Sequence, residues 1–136
     1  MTRAALVLMV LAASVPAEAQ GLPQKFTNLQ VFPKDAPADV VIAAMKNITR
    51  AMGVRCQFCH VGEEGMPLDK FDFVADSKPT KATARAMMRM TAEINGHVAK
   101  AVPDAAANGY QVTCFTCHRG SQHPQHAPDA AKPPGR

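Results

Sequence analysis

The chain has no tryptophan, a single tyrosine and six phenylalanines among its 136 residues. That is little flat apolar bulk from which to build a core, so a chain of this size needs something besides its side chains to fill its interior. Beyond residue 15 no apolar run approaches the roughly 20 residues of a membrane-spanning helix. Cysteine is also scarce, with four in all, and none is placed to staple distant parts of the chain. The formal charge is +4, too small on its own to argue for nucleic acid or an acidic surface.

The first residues read as a targeting segment. Met1-Thr2-Arg3 is a short basic start, Ala4 to Val15 an apolar run and Ala17-Glu18-Ala19 an A-x-A cleavage site. Residues 1–19 are therefore expected to be a signal peptide, and the mature chain to be exported, periplasmic in a bacterium, with no transmembrane anchor. Residues 20–120 form the expected domain. Residues 121–136, broken by Pro124, Pro128, Pro133 and Pro134, read as a disordered Pro/His-rich tail that includes His123 and His126.

All four cysteines fall in two copies of one pattern, Cys56-Gln57-Phe58-Cys59-His60 and Cys114-Phe115-Thr116-Cys117-His118. C-x-x-C-H is the attachment signature of haem c. Its spacing lets two thiols reach the two vinyl groups on one ring edge and places the adjoining imidazole under the iron. Three other readings meet obstacles. A four-thiolate zinc site has no use for a histidine after each pair. Redox-active dithiols want a βαβ surround that is not visible. A disulfide closing so short a loop removes little entropy from the unfolded chain. Two covalently attached haems are expected, with His60 and His118 as proximal ligands.

Each iron then needs a sixth ligand, and methionine is frequent, with eight in the chain. A first helix is signalled by Asp35 as N-cap, with Pro37 and Asp39 in its first turn and Gly53 as its left-handed end. Along it Val41, Met45, Ile48 and Met52 form one apolar stripe, with Lys46 and Arg50 on the other side. Met45 is two turns back from the end, far enough to stand over the iron, whereas Met52 is too near the attachment site. A second helix is expected from Thr80 as N-cap to about Val98. Thr83, Met87, Met90 and Ile94 share its inner face, with Lys81, Arg85 and Arg89 opposite. Met88 points to the basic side and drops out. Met87, Met90 and, if the helix passes Gly96, His97 stay open for the second iron. The basic face of Lys78, Lys81, Arg85 and Arg89 reads first as solvated and second as a dock for an acidic redox partner. In the excursion from Val61 to Lys78, Phe71 and Phe73 are expected to pack on porphyrin, and Glu63 and Glu64 to be solvated.

Several segments resemble the cytochrome c subunit of photosynthetic reaction centres: Asn28-Leu29-Gln30-Val31 with Phe32-Pro33-Lys34, Met45 with Thr49 to Cys56, Ala84 to Thr91 continuing to Asn95, and Val112 to Gly120. The resemblance runs from Asn28 to Gly120. In that family a haem unit is a helix, a turn and C-x-x-C-H, with a helix methionine on the iron in most units. The resemblance implies Met45 for the first haem and favours Met87 over Met90 for the second. Family members typically carry four haems in two halves, often with a lipid-bearing N-terminal cysteine; this chain resembles one half, without that cysteine. His97-Val98-Ala99 resembles the segment that supplies a histidine to a haem of the other half, offset by about one turn.

The fold expected is mostly α, a small dihaem c-type cytochrome of two helix–turn–C-x-x-C-H units with loops and a tail. Its expected work is one-electron transfer between redox protein partners, one of them a membrane-bound electron-transfer complex, with no nucleic acid involved. It is read as a carrier, not an enzyme. The alternatives are a haem enzyme or gas sensor with one open iron, peroxidase-like, and a conduit of stacked copies.

Overall fold

A computed structural model of the protein describes residues 22–124. The expected leader at 1–19, residues 125–136 of the expected tail and His126 lie outside the described residues. The architecture is mostly α, with helices α1 (Ala38–Met52), α2 (Pro79–Ala101), α3 (Pro103–Ala107) and α4 (Cys114–His118). Short 3-10 turns lie at Cys56–Phe58 and Leu68–Lys70. The sole strand-like pairing among the described residues is an isolated bridge between Val61 and Asp72. None of the described helices is long and apolar enough to cross a membrane.

Helix α1 starts two residues later than its sequence suggests, with the cap at Pro37 instead of Asp35. Pro37 disfavours helical geometry in Ala36 before it, so Asp35 sits in a turn closed by Ala36 N–H to the Pro33 carbonyl at 3.1 Å, and Pro37 occupies the cap position. Asp39 stays in the first turn and Arg50 in the last, each favourable to the helix dipole. The end is as expected: Gly53 is left-handed with φ 64°, and Val54 N–H reaches back to the Thr49 carbonyl at 3.1 Å, the six-to-one bond of a Schellman end.

That glycine also meets the far end of the chain. The Gly120 N–H donates to the Ala51 carbonyl at 2.8 Å, α4 packs against α1, and a Cβ on Gly53 would run into the Gly120 carbonyl oxygen. The two C-x-x-C-H motifs are thereby locked together through the end of α1. Gly53→Ala is expected to cost about 2–4 kcal/mol, combining left-handed strain with a backbone collision that cannot rotate away. Gly65 also has positive φ but open space around it, so Gly65→Ala carries only the strain, about 1 kcal/mol. Urea unfolding midpoints of the two variants measure the difference.

Helix α2 departs from expectation in three ways. It begins at Pro79, with Lys78 at the cap and the Thr80 hydroxyl donating instead to the Phe58 carbonyl. It runs through Gly96 and His97 to Ala101. Its faces are also exchanged: Lys81 is only 7 % exposed, while Met87 and Met90 are 43 % and 44 % exposed. The cation is turned inward because the excursion brings it partners. Lys81 Nζ donates to the carbonyls of Phe73 (2.9 Å), Val74 (3.2 Å) and Ala75 (2.7 Å) and pairs with Asp76 at 2.9 Å, which satisfies an ammonium that burial alone would penalise. Arg85 pairs with the other side of the same Asp76 oxygen at 2.9 Å. Of the basic face, Lys81 and Arg85 are thus engaged within the fold, while Arg89 stays exposed.

The cations also fasten the N-terminal strap, residues 22–32. Arg85 donates to the Asn28 carbonyl at 3.3 Å, Arg89 to that of Gln30 at 3.4 Å and Lys34 to that of Leu29 at 2.9 Å. The Asn28 and Gln30 amides reach Asp76 at 3.0 and 3.1 Å. Strap, excursion, α1 and α2 together enclose one space.

Candidate functional site

That space is a cavity of about 230 Å³. It is lined by Cys56, Cys59 and His60, by Val41, Met45 and Ile48 of α1, and by Leu29 and Phe32 of the strap. The structure therefore gathers the first motif and the methionine expected above it around a single hollow. Phe73 also lines it, edge-on to His60 with ring centroids 4.9 Å apart. Phe71 stacks on Phe73 at 5.7 Å. Met88, which the sequence reading had set aside, lines the same cavity beside Lys81, Ala84 and Arg85, because the buried side of α2 is the basic one.

Burial, then the charges of Lys81, Arg85 and Lys78, push His60 down to about 4, so its ring is neutral at physiological pH with a lone pair to give. Its Nδ1 is buried and has no hydrogen-bond partner. Burial pushes the Cys59 thiol up, against the lowering influence of Thr80 and Lys78. A redox-active dithiol needs the opposite shift. The four cysteines are unpaired, and among the described residues no three His, Cys, Asp or Glu side chains converge as a metal site would require, so the two C-x-x-C pairs do not form one thiolate cage.

The second motif is helical. Thr113 caps α4 and exchanges bonds with Thr116 in a capping box, while Arg119 (φ 48°) and Gly120 (φ 86°) both turn left-handed after it. This tight reversal brings the Ser121 carbonyl to His118 Nδ1 at 3.0 Å. A carbonyl there accepts a hydrogen bond from Nδ1–H and leaves Nε2 free, the arrangement common in metal-bound histidines. Met87 and Met90 stand on the exposed face of α2, and His97 shares its side, since the helix does continue past Gly96. The donor sets fit haem c: a thiol pair and a neutral or correctly oriented imidazole in each motif, with soft thioethers on neighbouring helices.

The Asp76 knot has an acid-stability signature. Arg85, Lys81 and Asn28 hold its carboxyl well below the usual carboxylate range. A depressed value in the folded state gives stability that is complete above the ordinary value of 3.8 and is lost as pH falls below it. Asp76→Asn is expected to lower the urea midpoint at neutral pH, and the difference from the parent chain should narrow as both are taken down to about pH 3.

A mostly helical chain with two C-x-x-C-H motifs, one of them lining an apolar cavity together with a helix methionine, has the make-up of a c-type cytochrome. The family model of the photosynthetic reaction centre cytochrome c subunit matches residues 63–133, a span that holds the second motif, and the chain belongs to this family. Cytochrome c-554 of Chloroflexus aurantiacus is 29% identical over 94 residues, which cover 69% of this chain and 20% of that protein. The chain thus spans about a fifth of the length of that relative. No solved structure matches.

Proposed function

We propose that the protein is an exported carrier of single electrons with two haems, working between redox protein partners, one of them a membrane-bound electron-transfer complex. Haem c supplies a one-electron iron couple in which no bond is made or broken. The chain's part is to hold each ring and close each iron. Cys56 and Cys59 would hold the first ring by thioether bonds, with His60 and Met45 as the ligands of its iron. Cys114 and Cys117 would hold the second, with His118 and Met87, ahead of Met90 or His97, as the ligands of its iron. Thioether ligation raises the couple relative to two imidazoles, and six-coordinate irons favour a carrier over an open-iron enzyme or gas sensor.

The observation that carries this reading is the meeting of Met45, Cys56, Cys59 and His60 around one cavity, with the same thiol and imidazole chemistry repeated at Cys114–His118. Intact-mass measurement of the purified, exported protein tests it. The mass should exceed that of the mature polypeptide by two haems, a methionine-to-iron charge-transfer band should appear in the oxidised form, and the reduced form should not take up carbon monoxide readily. A bare polypeptide mass would end the proposal, and rapid carbon monoxide binding in the native protein would move it to the enzyme or sensor class.

A further inference from the structure

The two haem units differ in how their upper ligand is held to their lower one. In the first, α1 ends at Met52 and Cys56 follows within four residues, so the chain itself keeps Met45 and His60 in register. In the second, residues 102–113, with α3 among them, separate α2 from Cys114, and so long a connection leaves that distance free unless something else sets it. α2 packs against α3, and α4 against α1.

One side chain bridges the gap. Asn95 on α2 donates from Nδ2 to the Val112 carbonyl at 2.8 Å and accepts the Val112 N–H on Oδ1, also at 2.8 Å. Among the described residues these are the only side-chain hydrogen bonds from α2 to residues 108–121. The pair is partly buried and two-pronged, so it fixes orientation as well as separation, as one rung of a strand ladder would. Val112 lies two residues before Cys114, and Asn95 lies within about two turns of Met87, Met90 and His97 alike.

We propose that Asn95 is the positioning residue of the second haem: through Val112 it sets the distance between the sixth ligand on α2 and His118 on α4, and so keeps that iron closed. This rests on the two-haem reading and holds whichever of the three α2 side chains is the ligand. Asn95 touches neither ring nor iron in this role and acts only through the backbone it grips.

Asn95→Leu, which removes both bonds at similar volume, and Asn95→Asp, which keeps the acceptor and loses the donor, are compared as purified holoproteins. The expected result for Asn95→Leu is carbon monoxide uptake rising from none to one per chain, with the more affected couple falling and the other unchanged. Asn95→Asp, nearly the same shape as the parent, should give a smaller uptake in the same direction, and it decides the matter if the leucine variant does not accumulate. A merely structural role would lower the melting temperature and leave both irons closed. Two haems by mass with parental spectra, parental couples and no carbon monoxide uptake in Asn95→Asp and Asn95→Leu would overturn the proposal. A parent protein carrying one haem by mass would instead remove the two-haem reading on which it stands.

Discussion

Met45→His is expected to lower the first haem's couple by on the order of 0.1–0.2 V, within the ~0.8 V that axial ligands span, and to weaken the red charge-transfer band. A thioether is a soft donor that favours the ferrous iron, whereas a second imidazole favours the ferric. Met45 lines the cavity from the middle of α1 with Val41 and Ile48, and His60 lines it too, so a histidine there meets the same space. The second couple should not move, because α2 and α4 are untouched by the change. Met88→Leu is the necessary control, since Met88 lines the same cavity from α2. Its band and couple should stay those of the parent. Should Met88→Leu lose the band while Met45→His keeps it, the sixth ligand of the first haem belongs to α2, and the helix–turn–motif unit would not be the ligating unit here.

What the sequence disclosed, and what it hid, divides along the range of the interactions involved. The C-x-x-C-H motifs, the Gly53 end of α1 and the α1 stripe carrying Met45 are local patterns, complete within one or two turns of chain, and each is where the residues said. The start of α1 turns on a rule that is also local: Pro37 disfavours helix in the residue before it, which outweighs the capping appeal of Asp35. The orientation of α2 was beyond local reading. Charge periodicity assigns Lys81 and Arg85 to water unless the partners that receive them are known, and those partners are carbonyls 73–75 and Asp76, delivered by the fold of the excursion. The same holds for Asn95, whose partner is a backbone group 17 residues on, and for Met88, which follows the basic side of α2 into the fold. An asparagine inside a helix that lacks a capping role was the one signal that could have been followed.

The inward cation makes the second large effect. Lys81→Met is expected to destabilise the protein by about 2–4 kcal/mol, because three loop carbonyls lose a charged donor inside the fold. That corresponds to a fall in apparent melting temperature on the order of 10–20 °C for a domain of this size. The same substitution takes a positive charge from beside His60, where Lys81 and Arg85 together outweigh Asp76. A positive charge near an iron favours the ferrous state, so the first couple should fall by on the order of 50 mV, the effect of one poorly screened charge at about 10 Å in an interior of moderate dielectric. Lys81→Arg separates the two consequences. The guanidinium keeps the charge but, being a flat fork, does not reproduce the point donor that meets carbonyls 73, 74 and 75 at once. Stability should drop in both variants, and the couple in the methionine variant alone. If the couple falls equally in both, it is the loosened excursion admitting water to the cavity that lowers it, and the ammonium acts through packing instead of through its field.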